Sequence, residues 1–197
     1  YDIGANVGMF SILAAKKNST FAFECLPANL DALSYNILLN KCYKNITIVP
    51  NPLYKKDRQI VFSQRDLTAS AAKNSIKDEK EKNIRSLDFK TIAFSLDNLV
   101  KIFKFPYPTK LNIDVDGVEF EILNGAKKTL KNCNEVMIEM YARNSNINQC
   151  YNDVSSIKKI KTSEFKKNYH EKINKTNTHK NFKEINKLMK NLNFKIH

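Results

Sequence analysis

The chain has 197 residues, 42% of them hydrophobic and 27% charged, and carries a formal net charge of +13. That length suits one domain around a single core, and the composition is that of a folded globular protein rather than a disordered or fibrous one. No apolar run approaches the ~20 residues needed to span a bilayer. Cys25, Cys42, Cys133 and Cys150 stand far apart with no C-x-x-C, which argues against a zinc site and for reduced thiols in a cytoplasmic protein.

Tyr1 to Gly8 reads as the end of a strand, a glycine turn and the start of a helix, which continues from Val7 to Lys17 with a broad apolar stripe. Thr20 to Phe23 is a short apolar strand ending in Glu24, followed by a helix from Leu26 to Lys41. Asn45 to Pro50 is a strand by its β-branched content and its proline stop. Gln59 to Phe62 and Thr91 to Ser95 read as further strands around a polar segment, Ser63 to Arg85, whose charge run Lys77 to Lys82 has no core potential. A helix starts at Ser95 or Asp97, either of which suits an N-cap, and Pro106 and Pro108 close it. Leu111 to Gly117 is a strand running into a turn, Val118 to Lys131 a helix, and Glu135 to Met140 another buried strand.

Beyond Ser155 the chain is polar, with Phe165, Tyr169, Ile173, Phe182, Ile185, Leu188, Met189 and Leu192 at the spacing of an interrupted amphipathic helix. Asn193 to Ile196 reads as a strand that has just begun, and the first strand is already under way at residue 1, so the chain is expected to be truncated at both ends. Strand–helix alternation of this kind gives an α/β fold, a mostly parallel sheet with helices on both faces.

Such sheets bind ligands at the carboxyl ends of their strands, and Asp2, Glu24, Asp114, Asp116 and Glu139 all fall near those ends. A glycine turn before a helix lets a nucleotide-like ligand approach the backbone. An acid about 20 residues further on accepts hydrogen bonds from ribose hydroxyls, and Gly4 to Glu24 fits that distance. The plainer reading of Glu24 is a cap for the next helix. Dinucleotide folds use G-x-G-x-x-G, whereas this chain has Asp2-x-Gly4-x-x-x-Gly8 with Asn6 where the middle glycine would stand. An acid just before the turn suits a ligand cation better than a pyrophosphate, which points to S-adenosylmethionine over a nicotinamide cofactor.

These residues resemble the FkbM-type methyltransferases, a branch of the S-adenosylmethionine-dependent class I fold. The resemblance rests on Asp2 to Gly8, Phe23-Glu24 with Pro27 and Asn40, and Ser95-Leu96-Asp97. It continues through Ile113 to Gly117 with Glu119, Leu123, Gly125 and Ala126, and ends at Ile138-Glu139. It departs from the family at Asn112, where lysine is usual, and at Asp116, where glutamate is usual. The resemblance implies a Rossmann-like core over residues 1–150 that binds S-adenosylmethionine. Residues 151–197 then form a Lys/Asn-rich helical part of the same domain, leading into a final strand. Asp2, Gly4, Asn6 and Gly8 would line the methionine side of the cofactor and Glu24 would hold the ribose.

The implied reaction is methyl transfer to a hydroxyl of a sugar, glycan or secondary metabolite, which requires a group that takes the hydroxyl proton. Asp114 is the first candidate base, Asp116 the second and Glu139 the third; the plainer reading is that these acids order the turn or cap the helix after Gly117. No residue spacing demands a metal. Lysine supplies 29 of the 33 basic residues beside 25 asparagines, the signature of an AT-rich genome rather than of selection for nucleic acid. Residues 151–197 hold 12 lysines against four acids, read as a solvated helical face, with an acidic acceptor or an anionic membrane surface as the sharper alternative. Two rival readings remain. One is a nucleic-acid methyltransferase, since Asn51-Pro52-Leu53-Tyr54 is similar to the element that grips a flipped adenine. The other is a non-catalytic protein that binds the cofactor. Oligomeric state is not readable from the sequence.

Overall fold

The computed structural model describes residues 1–64, 68–69, 75–77, 87–142, 151–158, 177–192 and 194–196. In chain order the elements are β1 (Asp2–Ile3), α1 (Met9–Ala15), β2 (Thr20–Phe23), α2 (Pro27–Leu39), β3 (Ile46–Val49), β4 (Arg58–Gln64), β5 (Ser75–Lys77) and β6 (Leu87–Ala93). They continue with α3 (Leu96–Phe103), β7 (Lys110–Ile113), α4 (Glu119–Asn124), α5 (Lys127–Lys131), β8 (Glu135–Ala142), β9 (Tyr151–Lys158), α6 (Asn177–Asn191) and β10 (Lys195–Ile196).

The main sheet has the order β10-β9-β8-β7-β1-β2-β3. Strands β3, β2, β1, β7 and β8 run parallel, whereas β9 returns antiparallel against β8 and β10 antiparallel against β9. The chain first builds outward from β1 to β3, then crosses back to β7 and builds the other way. The reversal lies between β1 and β7, the switch point at which open α/β sheets form their crevice.

A parallel sheet must be covered on both faces, and the side-chain alternation of β2 divides the two cores. Phe21 and Phe23 join Leu96, Leu99, Ile122, Leu123, Ile138 and Ile185 on one side. Ala22 joins Ala5, Ala15, Leu33 and Ile37 on the other, where small side chains let α1 and α2 approach the sheet closely. Helix α6 packs on α4 and β8 through buried Ile185 and Met189. No helix among the described residues is long and apolar enough to cross a membrane.

Several elements differ from the sequence reading. The helix expected over Val118 to Lys131 is two, α4 and α5, broken at Gly125 and Ala126. Asp97 explains the break: its carboxylate accepts the N–H groups of Lys128 and Thr129 at 2.9 and 2.7 Å, satisfying the first turn of α5. Ser95 is the N-cap of α3 but caps it with no side-chain bond; the Asp57 carboxylate instead accepts the Ser95 N–H at 2.8 Å.

Strand β6 starts at Leu87, earlier than Thr91, because it pairs along the whole of β4. With β5 these form a separate antiparallel sheet, β5-β4-β6, inserted between β3 and α3. Of the charge run, Lys77 ends β5 and residues 78–82 lie outside the described residues. Tyr151 to Lys158, placed by sequence in a helical part, is a strand that pairs with the full length of β8. Phe165, Tyr169 and Ile173 lie outside the described residues.

Candidate active site

The Gly4–Gly8 loop crosses the carboxyl ends of β1 and β2. The N–H groups of Gly4 and Ala5 both donate to the Phe23 carbonyl, at 3.0 and 2.9 Å, so the loop is hung from the end of β2. Gly4 has φ +82°, and a Cβ there would stand 1.8 Å from the Asp114 carbonyl oxygen. Only glycine lets β1 pass the end of β7 this closely. Asn6 takes the left-handed conformation at φ +52°, which asparagine tolerates better than most residues, and its side-chain Oδ1 is buried without a hydrogen-bond partner.

Glu24 is 8% exposed and organises this loop. Its Oε2 accepts the Asn6 N–H at 2.8 Å, while Oε1 accepts the N–H groups of Cys25 and Leu26, each at 2.8 Å. Leu26 is the N-cap of α2, so Glu24 serves the helix start from two residues upstream and ties it to the glycine loop. Asp2 is 4% exposed and buried beneath the loop's start. The Ser11 hydroxyl donates to its Oδ2 at 2.5 Å and the Asn112 amide to its Oδ1 at 2.8 Å. Asp2 therefore binds β1 to α1 and to β7.

Across the switch point the acids fall into two groups. Ile113 pairs with Ile138, so Asp114, just past the end of β7, comes beside Glu139, which lies within β8 because that strand runs on to Ala142. Asp114 is pushed up to about 7, first by burial, then by a hydrogen bond with Glu139 and by that residue's negative charge. A neighbouring carboxylate in this relation makes Asp114 hold its proton more tightly.

Asp114 and Asp116, the first two candidate bases, stand two residues apart in the sequence. The structure brings Asp114 to Glu139 instead, because strand register sets the contact, while Asp116 is exposed on the following turn. Asp116 acts on Glu119, a buried carboxyl that the sequence placed only among the residues of the family resemblance. Burial is the main cause that raises Glu119 to about 7; the charges of Asp116 and Glu121 add to it, against hydrogen bonds from its own N–H and that of Gly117. Its signal in the sequence was an acid two residues beyond a turn glycine. Ser11 was also missed, although a serine inside the apolar run Met9 to Ala15 marks a buried polar contact.

Asn51 to Tyr54, the segment behind the nucleic-acid alternative, is held in the scaffold. Leu53 bridges Phe94, the Tyr54 N–H donates to the Phe94 carbonyl at 2.8 Å, and the Phe94 N–H donates to the Pro52 carbonyl at 3.0 Å.

Residues 2–196 match the family described as the methyltransferase FkbM domain. The hexuronic acid methyltransferase AglP of Haloferax volcanii is 28% identical over 142 residues, which cover 72% of this chain and 55% of that protein. The chain thus spans little more than half the length of this relative. Among solved structures, the methyltransferase FkbM from Methylobacillus flagellatus KT aligns with a TM-score of 0.46 and 15% identity, over 70% of this chain and 31% of the other. The chain belongs to the FkbM methyltransferase domain family.

Proposed function

We propose that the chain is the core of an S-adenosylmethionine-dependent O-methyltransferase that acts on a sugar hydroxyl of a glycan, in the cytoplasm. The observation that carries this reading is the Asp114–Glu139 carboxyl pair, in which Asp114 follows β7 and its backbone carbonyl lies against Gly4 at the switch point. A carboxylate at its ordinary value of 3.8 is a poor base for a sugar hydroxyl; one raised to about 7 holds a transferred proton far better.

The loop residues fit the cofactor. Asn6 Oδ1 is a buried acceptor in need of a donor, which an amino-acid ammonium supplies. Glu24 Oε2 accepts a single bond and has a lone pair left for a ribose hydroxyl. Gly4 and Gly8 give the loop its shape, and Asp2 stiffens it from below. When bound, the cofactor supplies an electrophilic sulfonium methyl. The chain's own part is to align the acceptor oxygen, keep water from it and take its proton. Asp114 takes that proton in this reading, Glu139 tunes its affinity, and Asp116 orders the turn.

The relative's action on a hexuronic acid favours an acidic sugar as acceptor, and the 12 lysines against four acids over residues 151–197 are in keeping with an anionic substrate. Methyl transfer from radiolabelled S-adenosylmethionine to a glucuronate-containing oligosaccharide, a neutral oligosaccharide and single-stranded RNA tests the reading. Labelling of the acidic sugar is expected, with Asp114→Asn keeping cofactor affinity within about threefold while turnover falls about a hundredfold or more. Failure to bind S-adenosylmethionine, labelling confined to RNA, or full turnover by Asp114→Asn would each overturn it.

A further inference from the structure

The turn that joins β7 to α4 carries Asp114 at its start and is anchored unequally. At the first end the Asp114 N–H donates to the Ile3 carbonyl at 2.9 Å and Gly4 packs on the Asp114 carbonyl, so backbone fixes it directly. At the other end Gly117 has φ +93°, and nothing lies within 4 Å of where its Cβ would be. No side chain packs on Gly117 itself, although Val115 and Val118 on either side of it pack against the core. The Gly117 N–H is shared between the Val115 carbonyl at 2.9 Å, a bond internal to the turn, and Glu119 Oε1 at 3.1 Å. The bond to Glu119 ties the turn to α4.

A simple helix cap is a poor account of Glu119. It is 7% exposed and stands beside two acids of its own charge sign, Asp116 and Glu121. The N-cap residue of α4, Val118, makes no side-chain cap, and an exposed serine or aspartate there would satisfy the helix start without burying a carboxyl. A buried acid kept at such a cost on the turn that follows Asp114 is the pattern of a functional site.

We propose that Glu119 is a positioning residue. By accepting the Gly117 N–H it holds the Val115–Val118 turn against α4, and with it the Asp114 carboxyl at the geometry that proton removal requires. The proposal rests on the methyltransferase reading given above.

Glu119→Ala and Glu119→Gln separate this role from plain stability, because glutamine keeps a carbonyl oxygen for the Gly117 N–H and alanine does not. The first measurement is amide hydrogen exchange over Val115 to Val118 in the free protein. Exchange is expected to quicken about tenfold in Glu119→Ala and to stay near the parent rate in Glu119→Gln. The second is turnover of the glucuronate oligosaccharide. Glu119→Ala is expected to lower kcat about tenfold to a hundredfold with the acceptor KM within about twofold, and Glu119→Gln to restore most of it. Unchanged exchange in the alanine variant overturns the proposal, as does an equal loss of kcat in both variants. If the parent protein turns over no acceptor, the methyltransferase reading fails, while the exchange rates still decide whether Glu119 holds the turn.

Discussion

Asn112 and Asp2 face each other across the β1–β7 pairing, and the Asn112 amide donates to Asp2 Oδ1 at 2.8 Å. The buried carboxylate depends on that donor and on the Ser11 hydroxyl. Asn112→Ala removes one of the two and adds no replacement, so stability is expected to fall by about 1–3 kcal/mol. Urea unfolding reads this as a lower midpoint at unchanged slope. An unchanged midpoint would mean that the Ser11 hydroxyl alone suffices.

Glu24 makes a stricter case, because all three of its contacts are backbone donors. Glu24→Gln is close in shape, yet its amide nitrogen must face either the Asn6 N–H or the paired N–H groups of Cys25 and Leu26. A donor then meets a donor. The variant is expected to lose about 1–3 kcal/mol of stability, and at least tenfold in S-adenosylmethionine affinity because the glycine loop loses its anchor. Calorimetric titration beside a thermal melt reads both. Parent affinity in Glu24→Gln would show that neither the loop bond nor a ribose contact contributes to binding.

The alternation of β1, α1, β2, α2 and β3 was legible because apolar period and glycine spacing are local properties of a chain. The Asp2-x-Gly4-x-x-x-Gly8 turn and Glu24 came from the same local pattern. Contacts fixed by register between distant segments were not legible. Glu139 meets Asp114 because Ile138 pairs with Ile113, a relation no spacing within either strand reveals. The division of one expected helix into α4 and α5 depends on Asp97, thirty residues upstream, whose carboxylate reads locally as the cap of its own helix. Strand β9 escaped notice because its pattern is polar, and its pairing with β8 rather than its own propensity makes it a strand.

Two glycines with nearly the same dihedral are expected to respond very differently to alanine. Gly4 and Gly117 have φ +82° and +93°. A Cβ at Gly4 meets the Asp114 carbonyl at 1.8 Å, whereas one at Gly117 meets nothing within 4 Å. Gly117→Ala then costs the left-handed conformation alone, roughly 1–2 kcal/mol. Gly4→Ala adds a backbone collision that must push β1 and β7 apart, for a total of about 4 kcal/mol or more, the range of severe single substitutions. Chemical denaturation of the two variants side by side decides the matter. Equal losses would show that the loop adapts freely, contrary to the close approach of Gly4 and Asp114.

Glu139 is the group through which the proton affinity of Asp114 can be moved without touching Asp114. If Asp114 is the base, its ionised form is the active one, so kcat/KM for the acceptor should rise with pH and level off above about 7. Glu139→Gln removes a negative charge, so the ionised form of Asp114 is no longer repelled, and its amide can donate to that form. Both effects lower the proton affinity of Asp114, and the rising limb is expected to move to lower pH by about one unit. Burial remains the larger cause of the shift and is unchanged, so the limb should stop short of the ordinary carboxylate value of 3.8. A weaker base also removes a proton less readily, so the plateau should fall by a few-fold even as the limb shifts. A pH–rate profile of the two proteins from pH 5 to 9 separates these effects. A limb that stays in place would break the link between Glu139 and Asp114, and a limb that moves to higher pH would reverse its sign.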